Sequence, residues 1–375
     1  MSLCDFEVLT KIGEGAYSIV YKVRRLADRK IYALKKVSIE KLSDKERKNA
    51  LNEVRIMASI EHPNVISYKQ SFISEEDQSL CLIMEFADSG DLLQKIQNCK
   101  RRSVRLSEKF VWSVLIQVTM GLNALHELGV LHRDLKSANV FLNKDGTIKL
   151  GDMNVSKVSK DGFLKTQTGT PYYASPEVWK DMKYNHKSDI WSLGCVIYEV
   201  ASLKPPFRAD DMEGLYNKVL EGVIDPIPKV YSKDLADTLY LLLNPDPDLR
   251  PSCEKILDME SVTKHITIKT LQTSSSSLLK PIKIPSEINM LSQSLPQAKY
   301  EGFPVISPVN SIKKLPEISR PVKKSYKYLE LHSIIQNSSD RMKRIREIYL
   351  SPTNLYLSPK LRKGVQYVGY QKKRY

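Results

Sequence analysis

The sequence is poor in the features that mark secreted and membrane-anchored proteins. Its five cysteines, at positions 4, 81, 99, 195 and 253, include no Cys-x-x-Cys spacing, which favours reduced thiols over a disulfide framework. No apolar run approaches the roughly 20 residues of a membrane-spanning helix. The start of the chain lacks the charged-then-apolar order of a secretory signal. We therefore expect an intracellular, cytoplasmic protein without a membrane span.

Acidic residues are scarce only in the last third of the 375 residues. Residues 260–375 hold 21 Lys and Arg against 7 Asp and Glu, a net charge of +14, whereas residues 1–259 hold 37 against 36 and are nearly neutral. The basic tail also contains four consecutive serines, residues 274–277, and scattered prolines. Because long apolar patterns are few, this tail is predicted to bury too little surface to offset its ordering entropy and to be mostly disordered.

One part of the tail has a helical pattern. Between residues 328 and 350, apolar residues recur at steps of three and four with basic residues between them, which predicts an amphipathic helix. Its apolar positions are Leu331, Ile335, Met342, Ile345 and Tyr349. Ser338 interrupts this short seam, so a transient helix or one docked on its own domain is favoured over a dimerising coil. The sequence contains no internal repeats.

The segment of residues 132–139, His-Arg-Asp-Leu-Lys-Ser-Ala-Asn, carries side chains suited to phosphoryl transfer. Asp134 is the candidate base for a substrate hydroxyl, and Lys136 is the candidate contact to a γ-phosphate. Asn139 and Asp152, thirteen residues apart, offer the hard oxygen atoms that Mg²⁺ prefers. The alternative for Asn139 and Asp152 is a structural hydrogen-bonding role.

Glycines upstream of this segment lie between two alternating apolar runs. Within residues 12–23, Gly13 and Gly15 separate the runs, which predicts a β-hairpin whose tip can approach phosphates through bare backbone. A Gly-x-Gly pair alone is weak evidence for a nucleotide site. The next apolar run, residues 31–35, predicts a third strand that ends in Lys35.

A lysine and a glutamate are predicted to pair behind this hairpin. Glu53 lies on a helical pattern formed by Leu51, Val54, Met57 and Ala58. A Lys35–Glu53 pair would hold the ammonium where it neutralises α- and β-phosphates. A hydrated surface lysine is the alternative if the flanking motifs are disregarded.

Together these motifs resemble those of the eukaryotic protein kinase family. The glycine loop, strand lysine, helix glutamate, catalytic loop and metal-binding Asp occur in order, followed by Gly-Thr-Pro-Tyr-Tyr-Ala-Ser-Pro-Glu at residues 169–177. The resemblance covers residues 5–259. It implies an α+β, two-lobed kinase fold, with a small lobe of antiparallel strands and one principal helix at residues 5–86. A mainly helical lobe would follow at residues 87–259, with ATP and Mg²⁺ bound between the lobes.

The resemblance also implies an ATP-binding set. Its members are Ile12, Gly13, Gly15, Val20, Ala33, Lys35, Met84, Glu85, Ala87, Asp91 and Leu142. Adenine would lie between the apolar side chains on its two faces, with Met84 at the inner pocket. The backbone of Glu85 and Ala87 would pair with the purine edge, and Asp91 would lie near the ribose.

The type of substrate follows from the same resemblance. Lys136 stands where tyrosine-directed relatives have an Ala-Ala-Arg type of loop, so the chain is similar to a serine/threonine kinase, and Thr170 favours the same choice. The catalytic loop and residues 169–177 resemble those of the NIMA-related branch. Residues 150–157 resemble those of its algal and protist members. That branch implies roles in the cell cycle, basal bodies or cilia, with microtubule or basal-body partners and a cytoskeletal or nuclear location.

Residues around the active site are given regulatory and structural roles by the resemblance. Arg133 would pair with a phosphate added to the activation loop at Thr166 or, as second choice, Thr168. Thr170 would bond Asp134 and Lys136. Two structural contacts are also implied: a buried Glu177–Arg250 ion pair and bonds from Asp189 to the catalytic-loop backbone.

The chain departs from the family pattern at two places. The usual Asp-Phe-Gly is Asp152-Met153-Asn154, in which the metal ligand is retained, Met153 can fill the apolar slot and Asn154 tolerates positive φ. Ser18 stands where a third glycine is usual. The first departure motivates one alternative, a pseudokinase scaffold localised by its basic tail. The second alternative makes the tail the main functional part, binding acidic surfaces, although no motif specific for nucleic acid is present.

Overall fold

A computed structural model describes residues 2–15, 17–40, 42–152, 171–266 and 295–300. Several sequence-based expectations concern residues outside this described part. They are those for Met153, Asn154, the helix at 328–350 and most of the tail. Within the described part of the chain, no helix is long and apolar enough to cross a membrane.

Five antiparallel strands form the small lobe. They are β1 (Phe6–Glu14), β2 (Ser18–Arg25), β3 (Ile31–Ser38), β4 (Tyr68–Ser74) and β5 (Ser79–Glu85), in the order β1-β2-β3-β5-β4. The predicted hairpin is confirmed, because β1 and β2 pair with Gly13 opposite Val20. Burial alternates along β2, as expected for a strand that has a separate packed face.

One helix crosses this sheet. Helix α1 (Asp44–Ser59) begins after Ser43, whose hydroxyl accepts from the Glu46 amide while the Glu46 carboxylate accepts from the Ser43 amide at 2.8 Å. This reciprocal cap fixes where the helix starts. Val54 and Met57 are buried against the sheet, which turns Glu53 on the same helix toward β3.

The large lobe is mainly helical. Its helices are α2 (Leu92–Arg101), α3 (Glu108–Glu127), α4 (Pro176–Trp179), α5 (His186–Ser202), α6 (Met212–Glu221), α7 (Lys233–Leu242), α8 (Cys253–Asp258) and α9 (Glu260–Thr263). A short hairpin of β6 (Val140–Leu142) and β7 (Ile148–Leu150) lies on the lobe beside the catalytic loop.

Helix α5 lies at the centre of this lobe. Nearly all of its residues from Ser188 to Ala201 are buried, as expected for a helix that is apolar around most of its circumference. Trp191 stacks on Phe207 with ring centroids 5.3 Å apart, and both are almost fully buried. A helix that is packed on all sides is held rigidly. Asp189 lies in its first turn and is therefore held in a fixed position.

The predicted two-lobed α+β fold is confirmed. The packed structure also continues beyond residue 259, where Val262 of α9 is buried. A further part of the tail, residues 295–300, packs against the small lobe, which differs from the expectation of a mostly disordered tail. The local sequence gave no sign of this packing because its partners lie far away along the chain.

Candidate active site

The ammonium group of Lys35 lies between the carboxylates of Glu53 and Asp152. Its backbone on β3 is opposite Val20 on β2 and Leu82 on β5, so its position is set by a strand paired on both sides. Its Nζ is 3.1 Å from Oε1 of Glu53 and 3.2 Å from Oδ1 of Asp152. The structure thus brings together three of the predicted residues, from the sheet, from α1 and from the loop after β7.

The charges around Lys35 shift the pKa values of Lys35 and Asp152. Burial alone would lower the pKa of Lys35, but the Glu53 and Asp152 carboxylates outweigh burial and raise that pKa above its ordinary value. The Lys35 ammonium in turn holds the pKa of Asp152 below its ordinary value, against the opposing effect of burial. The Lys35 ammonium and the Asp152 carboxylate are therefore both charged at neutral pH, as a phosphate and cation site requires.

Asp134 is held by two neighbours on the catalytic loop. Nζ of Lys136 lies 2.9 Å from Oδ2 of Asp134, and Nδ2 of Asn139 donates to the Asp134 carbonyl at 2.8 Å and to Oδ2 at 3.3 Å. These contacts fix the direction of the carboxylate. A carboxylate that is oriented in this way is suited to accept a proton from a hydroxyl placed against it.

Asn139 and Asp152 lie on adjoining loops that are tied together. The Gly151 amide donates to the Asn139 carbonyl at 3.0 Å. Because Asn139 uses its amide nitrogen within the catalytic loop, its side-chain oxygen is the atom that a cation would contact. Two hard oxygen donors fit Mg²⁺, which takes one or two protein ligands and completes its shell with phosphate oxygens and water. No cluster of three or more His, Cys, Asp or Glu that could hold a metal occurs among the residues described.

Asp189 organises the backbone of the catalytic loop. Its carboxylate accepts from the backbone amides of His132 and Arg133, both at 3.0 Å, and is fully buried. It also contacts Nε2 of His126 at 2.8 Å and the Tyr184 hydroxyl at 2.5 Å. Burial alone would raise the pKa of Asp189, but its hydrogen bonds and the nearby imidazoles keep that pKa below its ordinary value.

This carboxylate stabilises backbone that few residues adopt. Arg133 has φ of 65° and Asp152 has φ of 47°, both in the left-handed region that is unfavourable for residues other than glycine. Such conformations cost of order 1–3 kcal/mol and persist only where the surroundings determine them. Arg133 precedes Asp134 in the catalytic loop and Asp152 is a candidate metal ligand, so both strained positions belong to the candidate site.

Sequence reasoning missed two partners of Asp189. His126 lies near the end of the apolar helix α3, and Tyr184 precedes α5. A histidine within an otherwise apolar helical face was the available signal for His126. The contact from Tyr184 had no comparable signal, because it depends on how the segment before α5 folds back.

The glycine hairpin covers the cleft. Ile12 is about half exposed on it, and the Gly15 amide donates to the Ser18 carbonyl at 2.7 Å, which closes the turn. A Cβ on Gly15 would lie only 3.0 Å from Oγ of Ser18, whereas Gly13 has more space. Position 15 therefore has less room for a side chain than position 13.

Three of the predicted adenine-binding residues, Ala33, Met84 and Leu142, are buried. Ala33 and Leu142 are buried, and Ala33 pairs across the sheet with the buried Met84. The Glu85 amide already donates to the Ser67 carbonyl at 3.0 Å, so the Glu85 carbonyl is the backbone group left for a purine. Ala87 is partly buried next to this segment.

Asp91, which was predicted to lie near the ribose, has a structural role in the described residues. It caps α2, and its two carboxylate oxygens accept from the Gln94 amide at 2.8 Å and from the Gln94 side chain at 2.6 Å. A ribose contact at Asp91 would therefore share an acceptor that already stabilises the helix N-terminus.

Glu177 and Arg250 form a buried bidentate ion pair. The two N···O distances are 2.8 and 2.9 Å, and both side chains are excluded from water. Ser188 of α5 donates to the same carboxylate at 2.6 Å. Burial acts to raise the pKa of Glu177, but hydrogen bonds from Arg250 hold it below its ordinary value. The pair ties residues 176–179 to the end of the large lobe.

The predicted phosphorylation sites lie outside the described residues. These are Thr166 and Thr168. Thr170, which was predicted to bond Asp134 and Lys136, also lies outside the described residues. Arg133, their predicted partner, has its guanidinium 5.7 Å from the ring of Tyr184.

Comparison with known proteins places this arrangement in a family. A family profile described as "Protein kinase domain" matches residues 6–262. Over 260 residues the chain is 40% identical to "Serine/threonine-protein kinase Nek1" of Mus musculus. The aligned region covers 69% of the chain and 21% of Nek1. It is 36% identical over 299 residues to "Serine/threonine-protein kinase Nek2" of Mus musculus, covering 77% of the chain and 68% of Nek2.

A fungal relative is similar to the same extent. The "G2-specific protein kinase nim-1" of Neurospora crassa is 38% identical over 312 residues, covering 74% of the chain and 36% of nim-1. The match thus spans from about a fifth to about two thirds of these relatives. Because the family profile matches well over half of the chain and Nek2 aligns over about two thirds of its own length, the chain belongs to the protein kinase family, in its NIMA-related branch.

Proposed function

We propose that this protein transfers the γ-phosphoryl group of MgATP to serine and threonine hydroxyls of other proteins. The observation that carries the proposal is the convergence of two carboxylates, Glu53 and Asp152, within 3.2 Å of the Lys35 ammonium nitrogen. Phosphoryl transfer needs fixed positive charge, cation ligands and a hydroxyl-orienting carboxylate close together. If the Lys35–Glu53 ion pair only stabilised the fold, it would not need a second carboxylate, that of Asp152, from a separate loop.

In this proposal Asp134 orients the substrate hydroxyl and accepts its proton as the new P–O bond forms. Lys136 contacts the transferred phosphoryl group, since its ammonium lies 2.9 Å from the Asp134 carboxylate. Its charge compensates the negative charge that is shared between nucleophile and phosphate. The His132 and Arg133 amides, bonded to Asp189, keep this loop in its strained conformation before any substrate binds.

ATP and magnesium use distinct parts of the cleft. Asn139 and Asp152 hold the cation, which when bound neutralises phosphate charge and aligns the γ-phosphoryl group. Lys35, oriented by Glu53, contacts the α- and β-phosphates. Gly13 and Gly15 cover the phosphates through their backbone. The adenine lies against Val20, Ala33 and Leu142.

The choice of serine and threonine rests on the relatives and on one residue. Nek1 and Nek2 are named serine/threonine-protein kinases. Lys136 is the residue that distinguishes this catalytic loop from that of tyrosine-directed kinases. The substrates are proteins, and we propose that the basic tail brings the enzyme to acidic surfaces such as microtubules or basal bodies, in the cytoplasm or the nucleus.

The experiment is a peptide-library assay with MgATP, run on the full chain and on Asp134→Ala. We expect phosphate on serine and threonine but not on tyrosine, and no incorporation with Asp134→Ala. Phosphotyrosine as the main product would contradict the substrate class. Absence of ATP-dependent incorporation with every substrate would favour the pseudokinase scaffold, which is disfavoured because Lys35, Asp134, Asn139 and Asp152 are all retained.

We also propose that a phosphate at Thr166 activates the enzyme, with Thr168 as the second site. The fixed charge of Arg133 beside Asp134 supports this, because a phosphate on the activation loop could pair with it. Phosphatase treatment is expected to lower activity, and Thr166→Ala to prevent its recovery on rephosphorylation. An unchanged rate in both tests would remove Thr166 from the mechanism.

A further inference from the structure

A short piece of the tail lies on the edge of the small-lobe sheet. The Lys299 amide donates to the Lys69 carbonyl at 2.7 Å. The Tyr68 hydroxyl donates to the Pro296 carbonyl at 2.9 Å, and the Tyr300 hydroxyl donates to Oε1 of Gln70 at 3.0 Å. Backbone and side-chain bonds thus join residues that lie about 230 positions apart.

The strand that receives this segment is an edge strand of the sheet that the structure describes. Strand β4 is at one end of the sheet order, so within the described residues it pairs with a strand on one side only. The pairing of β4 with β5 also shifts register between Tyr68 and Gln70, leaving Lys69 without a partner in β5. A bulge on an edge strand exposes backbone groups that another extended segment can bond. The Lys69 carbonyl is such a group.

The ring of Tyr300 covers a buried arginine. The Arg25 guanidinium carbon lies 3.5 Å from the Tyr300 ring centroid, and only 2% of the Arg25 side chain is exposed. Arg25 pairs with Asp28 at 3.3 Å, and Asp28 also accepts from the Tyr32 hydroxyl at 2.7 Å. The Tyr32 ring meets Tyr300 edge-on, with centroids 5.6 Å apart.

The Arg25 guanidinium is shielded from water and therefore needs stabilising contacts from the protein, such as the Tyr300 ring. Nε of Arg25 is buried and has no hydrogen-bond partner among the described residues. A buried cation is expensive unless it is paired and its remaining surface is stabilised, and an aromatic face provides that stabilisation by cation–π attraction. Burial raises the pKa of the Tyr300 hydroxyl, so this ring remains neutral above Arg25. The contact therefore combines a specific ring, a specific cation and a strand edge.

We propose that residues 295–300 are a docking strap that binds in cis to the small lobe, with the β4 edge and the Arg25–Tyr32–Gln70 surface as its receptor. The mode is addition of an extended segment to a sheet edge, in which backbone bonds give affinity and a side-chain pocket gives specificity. Twenty-eight residues, 267–294, connect the end of the large lobe to the strap. Because the strap and its receptor belong to one chain, covalent attachment raises the local concentration of the strap near the receptor.

The direct test is hydrogen exchange on the full chain. In the docked state the Lys299 amide is protected by its bond to Lys69. Tyr300→Ala removes the ring over Arg25 and the bond to Gln70, and is expected to increase exchange at Lys299 about tenfold. Gln297→Ala, at an exposed position of the same strap, is the matched control and should exchange like the unaltered protein. Equal exchange at Lys299 in all three proteins would overturn the proposal.

A milder variant separates the two parts of the contact. Tyr300→Phe keeps the ring over Arg25 and loses only the bond to Gln70. It is expected to raise exchange at Lys299 by less than Tyr300→Ala does. An effect as large as that of Tyr300→Ala would contradict the role given to the ring.

A labelled peptide of residues 293–302 tests the receptor in trans. It is expected to bind the full-length Tyr300→Ala protein, whose receptor is vacated, and to bind the unaltered protein at least about tenfold more weakly because the cis strap competes. The same peptide with alanine at the tyrosine position should bind neither protein. Equal binding to both proteins, or no binding to Tyr300→Ala, would contradict cis docking.

Discussion

Two groups of charged residues hold the active site, and they differ in their access to water. In the cleft, the Lys35 and Glu53 side chains are each 18% exposed and Asp152 is 49% exposed. In the large lobe, Arg250 and Glu177 are 0% and 4% exposed, and Asp189 is fully buried. The open group can exchange its partners for a nucleotide and a cation. The closed group cannot exchange partners and fixes the backbone instead.

This difference separates chemistry from stability. An ion pair that water can reach contributes less to stability than a fully buried one, because water screens it and competes for it. Removing one partner of a buried pair typically costs about 3–5 kcal/mol, because the other charge is left without solvent or partner. Substitutions in the cleft should therefore lower turnover in a protein that still folds, whereas substitutions in the buried group should lower the free energy of unfolding.

The largest effect is expected at the buried pair. Glu177→Gln keeps the shape of the side chain but leaves Arg250 without its counter-charge, so the free energy of unfolding should fall by about 3–5 kcal/mol. Urea denaturation of the full chain measures this. Glu221→Gln, at an exposed position at the end of α6, is the control and should stay within about 0.5 kcal/mol. A Glu177 variant as stable as the control would remove the contrast between the two groups.

A loss of turnover is expected at the open group. Lys35→Met should lower kcat/KM for ATP by about a hundredfold or more, since an oriented charge near the phosphates is lost. Its Tm should change by no more than about 2 °C. Lys30→Met, at an exposed position just before β3, is the control for both measurements. A large drop in Tm for Lys35→Met would show that the open group also carries the fold.

An intermediate effect is expected at the carboxylate that holds the catalytic loop. Asp189→Asn replaces one acceptor oxygen with a donor that faces backbone amides, which should cost about 1–3 kcal/mol of stability. Because Arg133 would lose the bond that stabilises its positive φ, kcat should also fall. Asp210→Asn is an exposed control. Unaltered kcat in a folded Asp189→Asn protein would show that the loop keeps its shape without this anchor.

The smallest effect is an acid sensitivity from His62. Burial, aided by the charge of Lys149, lowers the pKa of His62 to about 4 from the usual 6.5. Between these values the unfolded chain binds the proton more strongly, so stability falls as pH decreases through this window. From about pH 7 to about pH 5 the loss at this site should be on the order of 1 kcal/mol.

His62→Asn tests this contribution. An asparagine can still accept from the Asn64 amide, as Nδ1 of His62 does at 3.0 Å, but it does not titrate. The free energy of unfolding of the variant, measured by urea denaturation at each pH, should depend less on pH than that of the unaltered protein. The pKa values of the buried His132 and of His186 are lowered too, so part of the acid sensitivity will remain. Identical slopes in both proteins would exclude His62 as a source.

The sequence predicted features that depend on local pattern. Alternating apolar residues around Gly13 and Gly15 predicted the hairpin, and the resemblance predicted the two lobes. Helical spacing around Glu53 led to the expectation of a partner for Lys35, and the two side chains lie 3.1 Å apart. These features are encoded within a few residues, or in motifs whose order along the chain is distinctive.

Features that depend on distant packing were missed. His126 contacts Asp189 across 63 positions, and Tyr300 reaches Gln70 across 230. No periodicity links such residues, because their contact depends on how helices and strand edges meet in space. The basic composition of the tail led to an expectation of disorder. Composition describes the average of a segment, so it could not predict the packing of residues 295–300.

The most direct measurement is kcat for phosphate transfer to a threonine peptide, taken together with Tm, for the unaltered protein, Asp134→Asn and Asp88→Asn. Asp88 is a partly exposed aspartate of the same type outside the catalytic loop. We expect Asp134→Asn to lower kcat by about two to four orders of magnitude with Tm unchanged, and Asp88→Asn to retain nearly full activity. Equal kcat for Asp134→Asn and the unaltered protein would contradict phosphoryl transfer at this cleft.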